Sequence, residues 1–399
     1  MKSGAVYLDN AATTPVDPDV VEAMLPYLRE HFGNASSVHA FGRRAKDALE
    51  EARTHVASLL DADPAEIVFT SGGTEADTFA MLLLAHASDR RGVRRIVSSA
   101  AEHHAVLAML ERLEHDGFAI VHAPVTPYGA ARLDEVLARL DEGAGGVALL
   151  HVNNETGGIT DVGTIAEAAH ARGIFMHVDA VQSAGKLPLS SADIPFDTAA
   201  MSAHKIHGPK GIGALFIRKG TEIEPLFPGG SQERGRRGGT ENVALAVGFG
   251  AAAVKAMRER EARHARWEAL RADLLARLRA VFPHVVLNGG GAASMPNIVS
   301  LSFPAAQYPL DGELLVVTMD LEGVAVSSGS ACTSGSVTAS HVMRAIGHDD
   351  ATGAATVRVS FGATTDSADV ERGADVLSRV VQRLTQAVSA RDASRNAMP

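Results

Sequence analysis

His177-Val178-Asp179-Ala180-Val181-Gln182 and, further along, Ser202-Ala203-His204-Lys205-Ile206-His207-Gly208-Pro209-Lys210-Gly211 decide the fold. The first closes an apolar run with an acid; the second follows another apolar run and carries a lysine. Read outward, short β-branched runs recur at 67–71, 95–100, 119–125, 147–152, 174–180, 198–203 and 213–218. Amphipathic stretches with helical spacing separate several of them, at 74–87, 104–116, 133–140 and 162–172. Such alternation predicts an α/β protein whose mostly parallel, seven-stranded sheet is covered by helices on both faces. Active sites in such sheets gather at the carboxyl ends of the strands.

Beyond residue 220 the pattern changes. A long charged helix is expected over 240–281, its polar face 258–266 needing nothing beyond solvation. Strands at 285–288 and 297–303, a helix at 310–321, a Gly/Ser loop, a strand at 356–361 and a helix over 367–388 read as a smaller α+β domain. The polar tail 391–399 is expected to fray. The division expected is 15–262 for the large domain, with 1–14 and 263–399 forming the small one.

Composition narrows the classes. A 399-residue chain suits two domains, and 46% hydrophobic with 21% charged residues is ordinary for a soluble globular protein. No apolar run is long enough to cross a bilayer and the first ten residues carry no secretory pattern, so no membrane and a cytoplasmic address are expected. A net charge of −10 argues against nucleic acid as partner. The one basic cluster, Arg234, Arg236 and Arg237, reads as an exposed loop or a subunit contact. A single cysteine excludes an internal disulfide and a thiolate zinc cluster.

The chemistry-bearing residues follow from the strand ends. Lysine is scarce, seven against thirty arginines, and Lys205 stands directly after a strand among Ser, His and Gly. A lysine so placed suits a Schiff base to an aldehyde cofactor, although a surface lysine on a turn would read the same. Asp179 is either a helix N-cap or the carboxylate that pyridoxal phosphate needs beside its ring nitrogen. Thr70-Ser71-Gly72-Gly73-Thr74-Glu75 runs from strand through two glycines into a helix, a turn whose backbone N–H groups bind phosphate; no Gly-Lys-Ser/Thr follows, so it is not a Walker loop. His103, in Ala101-Glu102-His103-His104, could stack on a flat ring and shuttle protons, whereas His104 and His207 read as solvated. His204 and His207 lack a nearby third ligand, so no metal is expected. Cys332 lies in Val326-Ser327-Ser328-Gly329-Ser330-Ala331-Cys332-Thr333-Ser334-Gly335-Ser336, a stretch too polar for a core; it reads as an accessible thiol on a flexible loop rather than a buried filler.

With these residues assembled, the chain resembles the cysteine desulfurases of the NifS/IscS type, class V aminotransferase-like enzymes of the pyridoxal-phosphate-dependent transferase fold type I. The likeness runs from Tyr7-Leu8-Asp9-Asn10-Ala11-Ala12-Thr13-Thr14-Pro15 to Arg358-Val359-Ser360-Phe361-Gly362. It includes Phe32-Gly33-Asn34, His151-Val152-Asn153-Asn154-Glu155-Thr156-Gly157 and Gln232-Glu233-Arg234-Gly235-Arg236-Arg237-Gly238-Gly239-Thr240-Glu241-Asn242, and the cysteine block is the most specific. The resemblance implies that Lys205 binds pyridoxal 5'-phosphate and later acts on the substrate Cα proton. It implies that Asp179 pairs with the ring nitrogen, Gln182 with the phenolic oxygen, and that His103 stacks on the ring with Asn154 facing it. Gly73, Thr74, Ser202 and His204 would hold the phosphate, with Thr240 reaching it from a second subunit of a homodimer, and Ala203 would stand among the cofactor-binding residues. Arg358, with Asn154, would hold the substrate carboxylate, and Cys332 would receive sulfur from L-cysteine as a persulfide, leaving alanine. An Fe–S scaffold or another sulfur acceptor is the implied partner. Departures are Ala203, where many members have Gly, Ala101, where Thr or Val is frequent, and a tail without the Trp-containing end of housekeeping members. Selenocysteine lyases share fold and cofactor; aminotransferases and C–S lyases need no enzyme thiol; a sulfur-carrying scaffold protein would need no working lysine.

Overall fold

A computed structural model describes residues 4–290, 293–328 and 339–396. The chain enters through a two-residue strand, β1 (Val6–Tyr7), and two helices, α1 (Pro18–Arg29) and α2 (Ala40–Ala57). Asp17 caps α1 by accepting the Asp19 N–H, and Pro18 occupies the first helical position, where a missing N–H costs no hydrogen bond. Neither helix is among those expected from the sequence, although α2 buries Ala45, Ala48, Leu49, Ala52 and Val56.

The strands β2 (Ile67–Thr70), β3 (Arg95–Ser99), β4 (Ala119–Ala123), β5 (Gly146–Leu150), β6 (Phe175–Asp179), β7 (Thr198–Ser202) and β8 (Gly213–Ile217) form one sheet in the order β2-β8-β7-β6-β5-β3-β4. Every strand expected between residues 67 and 218 is present in it. β8 runs antiparallel to both its neighbours, and the other six share one direction. Central strands are buried along their whole length, which is why they read as apolar runs without alternation. Successive side chains still point to opposite faces: Val147 and Leu149 join one core with α2, while Ala148 joins another on the far side. The helices α3 (Gly73–Arg90), α4 (His104–His115), α5 (Leu133–Asp141) and α6 (Val162–Ala171) cover the sheet, α5 and α6 on the first face, α3 and α4 on the second.

A long helix, α7 (Val243–Val281), capped by Asn242 at the Leu245 N–H, packs its first half on α1 and α2. Its second half gives Trp267, Leu270, Leu274 and Leu278 to a separate core. That core covers β9 (Val286–Asn288) and β10 (Ile298–Ser302), followed in the chain by α8 (Gly312–Leu321), β11 (Val324–Ala325), α9 (His341–Ala345), α10 (Asp350–Ala354), β12 (Thr356–Ser360) and α11 (Ser367–Asn396). β12, β10 and β9 form an antiparallel sheet, and β11 pairs in parallel with β1. The terminal helix corrects one expectation: it continues to Asn396 rather than fraying from 391. No described helix is long and apolar enough to cross a membrane.

Candidate active site

Six strands pointing one way bring Thr70, Ser99, Leu150, Asp179 and Ser202 to one edge of the sheet. The turns beyond them enclose a cavity of about 260 Å³. Gly73, Thr74, His103, Asn154, Asp179, Gln182, Ser202, His204, Lys205 and Arg358 all line it.

Lys205 sits in a 3₁₀ turn, Ala203–Lys205, directly after β7. Its Nζ donates to the carbonyls of Ala11 and Ala12 at 2.7 and 2.8 Å, in a segment that crosses from β1. That segment is tied down from both sides. Thr14 Oγ1 donates to the His204 carbonyl, and the Ala11 N–H donates to Ser360 Oγ. Ala203 does not line the cavity; it is fully buried behind the lysine turn. Its methyl group faces Gly208, where any Cβ would lie 2.9 Å from that of Ala203, so the departure at 203 is accommodated by the absent side chain opposite. His207 corrects an expectation. It is buried, its Nδ1 meets the Pro15 carbonyl, and its Nε2 accepts the Ala363 N–H. Both ring nitrogens are engaged, so it serves neither solvent nor a metal.

Asp179 ends β6 in full burial, and one carboxylate oxygen accepts the Val181 N–H at 2.9 Å. Burial pushes its pKa up to about 7, with Asp77 adding repulsion and His103 opposing it. Asp77, from α3, is pushed up to about 8 by burial and meets His177 Nε2 at 3.2 Å. His103 is the N-cap of α4: its Nδ1 accepts the Ala105 N–H, which leaves Nε2 as the protonated nitrogen of the neutral ring. Burial lowers its pKa, partly offset by the Asp179 carboxylate. Asp77, His103 and Asp179 each bring a ligand atom within 4.8 Å of the others, but His103 Nδ1 already serves its helix.

The start of α3 and Ser202 also line the cavity. α3 starts at Gly73 with no side-chain cap, so its first N–H groups face outward, where the helix dipole favours negative charge. Ser202 Oγ is buried without a hydrogen-bond partner among the described residues. A Cβ on Gly73 would lie 2.8 Å from the Val181 side chain, so the close approach at this turn needs glycine.

Arg358, from β12, enters from the small sheet. Its guanidinium donates to the Asn154 carbonyl at 2.7 Å and to Asp9 Oδ1 at 2.9 Å, and Nε has no partner among the described residues. Asn154 stands in a turn that Asn153 organises by accepting the Glu155 and Thr156 N–H groups.

Besides Ala203, two expected site residues stand apart. Thr240 is exposed and outside the cavity, and Cys332 lies outside the described residues. Others were not expected in the site, His104 among them having read as solvated. Ala11 and Ala12 act through backbone carbonyls, which no side-chain pattern announces. His104 lines the cavity with His341, their rings 4.6 Å apart, and buried Glu155 accepts from Ser340 Oγ beside them. The basic cluster is committed to its own chain: Arg237 pairs with Glu75, Arg234 with Glu50, and Arg236 donates to the Ala65 carbonyl.

The family model described as Aminotransferase class-V matches residues 6–372. A cysteine desulfurase of Nostoc sp. is 42% identical over 95% of this chain and 93% of its own. The cysteine desulfurase NifS of Azotobacter vinelandii is 40% identical over 92% and 90%. Among solved structures, a NifS-like protein superposes with a TM-score of 0.87 at 34% identity, covering 95% of this chain and all of the other. The chain therefore belongs to the class-V aminotransferase family, among the cysteine desulfurases of the NifS/IscS type.

Proposed function

We propose that the protein is a pyridoxal-phosphate-dependent cysteine desulfurase that converts L-cysteine to L-alanine and stores the sulfur as a persulfide on Cys332. The observation that carries this reading is that Lys205, Asp179 and Arg358 line one cavity together with the start of the uncapped helix α3 and a Ser202 hydroxyl that has no partner among the described residues. The donor set fits the cofactor. The uncapped N–H groups of α3, Thr74, Ser202 and His204 would hold the phosphate, Asp179 the ring nitrogen, Gln182 the phenolic oxygen, His103 and Asn154 the ring, and Lys205 the aldehyde carbon. A buried carboxyl already titrating near 7 releases its proton readily once a cationic ring nitrogen faces it. When bound, pyridoxal phosphate supplies an electron sink for negative charge at the substrate Cα.

The chain's own residues do the rest. Arg358 would bind the substrate carboxylate through its guanidinium fork, drawing on the Nε that has no partner among the described residues. Lys205 Nζ would take the Cα proton, and His103 Nε2 would serve as proton donor or acceptor beside it. The Cys332 thiolate would attack the substrate sulfur, so that the new S–S bond forms as the C–S bond breaks and the carbon ends as the alanine methyl. Atoms balance as L-cysteine plus thiol giving L-alanine plus persulfide. A homodimer in which Thr240 reaches the neighbouring site, a cytoplasmic address, and transfer of sulfur to an Fe–S scaffold or another acceptor belong to the same proposal, as does the division of the chain near 262, inside α7.

The test is L-cysteine turnover by the wild type, Lys205→Ala and Cys332→Ala. The wild type is expected to be yellow and to yield alanine and persulfide. Lys205→Ala should lose the band, and Cys332→Ala should keep it while forming almost no alanine. Equal alanine from wild type and Cys332→Ala would refute the persulfide route.

A further inference from the structure

The reading above gives no work to Lys186, although it is 6% exposed and only one turn beyond Gln182. Its Nζ donates to Gln182 Oε1 at 3.0 Å. Gln182 Nε2 donates to the Ala11 carbonyl at 2.8 Å, and Lys205 Nζ donates to that same carbonyl at 2.7 Å. One amide and one carbonyl thus join the two lysines. The Ala11 carbonyl only accepts, so it draws the amide nitrogen, and the amide oxygen is left to take the hydrogen bond that Lys186 donates. A flipped amide would set oxygen against oxygen and lose two buried hydrogen bonds. Gln182 also lines the cavity, and its nitrogen carries a second hydrogen.

Lys186 is an expensive way to fill a core position. Desolvation pushes it down to about 7, and the charged groups acting on it, Lys205 and Arg263, are both cations. A methionine of similar length would pack there without that cost. What methionine cannot do is donate a hydrogen bond to Gln182.

Building on the cofactor reading, we propose that Lys186 is a positioning residue: by holding Gln182 Oε1 it commits the amide to present a donor, not an acceptor, to the phenolic oxygen of bound pyridoxal phosphate. A fixed donor favours the ionised oxygen, so the chromophore of the holoenzyme loses its proton at lower pH than it would beside an uncommitted amide.

The experiment is a pH titration of the visible absorption of holoenzyme, with thermal unfolding measured in parallel, for wild type, Lys186→Met, Gln182→Leu and the double variant. Lys186→Met is expected to retain its band and to move the midpoint upward by about one unit. In the Gln182→Leu background the same change should produce no further shift. A Lys186→Met holoenzyme with an unmoved midpoint, whatever its melting temperature, overturns the inference. So do additive shifts, which would mean that Lys186 acts by charge alone. A wild type that acquires no visible band with pyridoxal phosphate overturns the cofactor reading and this inference with it.

Discussion

Arg358 and Asp9 form a 2.9 Å ion pair where the small sheet meets the cavity, one from β12 and the other from the segment after β1. The pair, with the Asn154 carbonyl on the other guanidinium nitrogen, fixes the fork before any ligand arrives. Replacing Arg358 with Lys keeps a charge but removes the fork. Charge-assisted hydrogen bonds contribute about 1.5–3 kcal/mol, so kcat/KM for L-cysteine should fall roughly 10- to 150-fold, chiefly through KM. Steady-state alanine formation checks this, and an unchanged KM would remove Arg358 from the carboxylate role.

The two glycines before α3 should respond differently to alanine. At Gly73 the new methyl group meets Val181 at 2.8 Å, whereas at Gly72 it meets nothing within 4 Å and the backbone is extended. Gly73→Ala is expected to weaken pyridoxal phosphate binding by about tenfold and Gly72→Ala by less than about twofold. Cofactor titration of the stripped proteins measures both.

Glu102 offers a pH test outside the proposed catalytic groups. Burial pushes its carboxyl up to about 8, against the Ser99 hydroxyl that lowers it. Unfolded, it would titrate near 4.3, so between about pH 4.3 and 8 the folded chain keeps a proton that the unfolded chain has released. Raising the pH through that window therefore weakens the fold. Glu102→Gln removes the effect, and its melting temperature relative to wild type should climb from about pH 5 to about 8 and then level off. A difference that stays flat across this range would contradict the buried-carboxyl argument.

Glu233 holds the glycine-rich loop through a buried bidentate pair with Arg53, at 2.6 and 3.0 Å, and also accepts the Phe69 N–H. Glu233→Gln leaves the Arg53 charge buried, a loss of about 3–5 kcal/mol in urea unfolding. The exposed pair of Arg277 with Glu371 is the control: Glu371→Gln should cost less than about 1 kcal/mol.

Much of the site was legible because strand ends are local. Apolar runs closing on Asp179 and on Ser202-Ala203-His204-Lys205 announce themselves within a few residues, and a sheet of one direction brings such ends together. His207 was misread because a histidine two residues past a lysine turn has no local mark of burial; its partners are Pro15 and Ala363. Lys186 was passed over for the same reason, since nothing near it in sequence shows that its Nζ reaches an amide facing the cavity.

Local chemistry in the sequence determined the class of fold, the seven strands, the lysine, the aspartate, the glycine turn before α3 and the solitary thiol. The tertiary structure alone decided that the Ala11 carbonyl takes both Gln182 and Lys205, and that Arg358 meets Asp9 across the boundary between two sheets. Those contacts join residues far apart in the chain and rest on backbone carbonyls or on a shared partner. Propensity and periodicity act over neighbours along the chain, whereas a hydrogen bond depends only on where packing brings its two atoms.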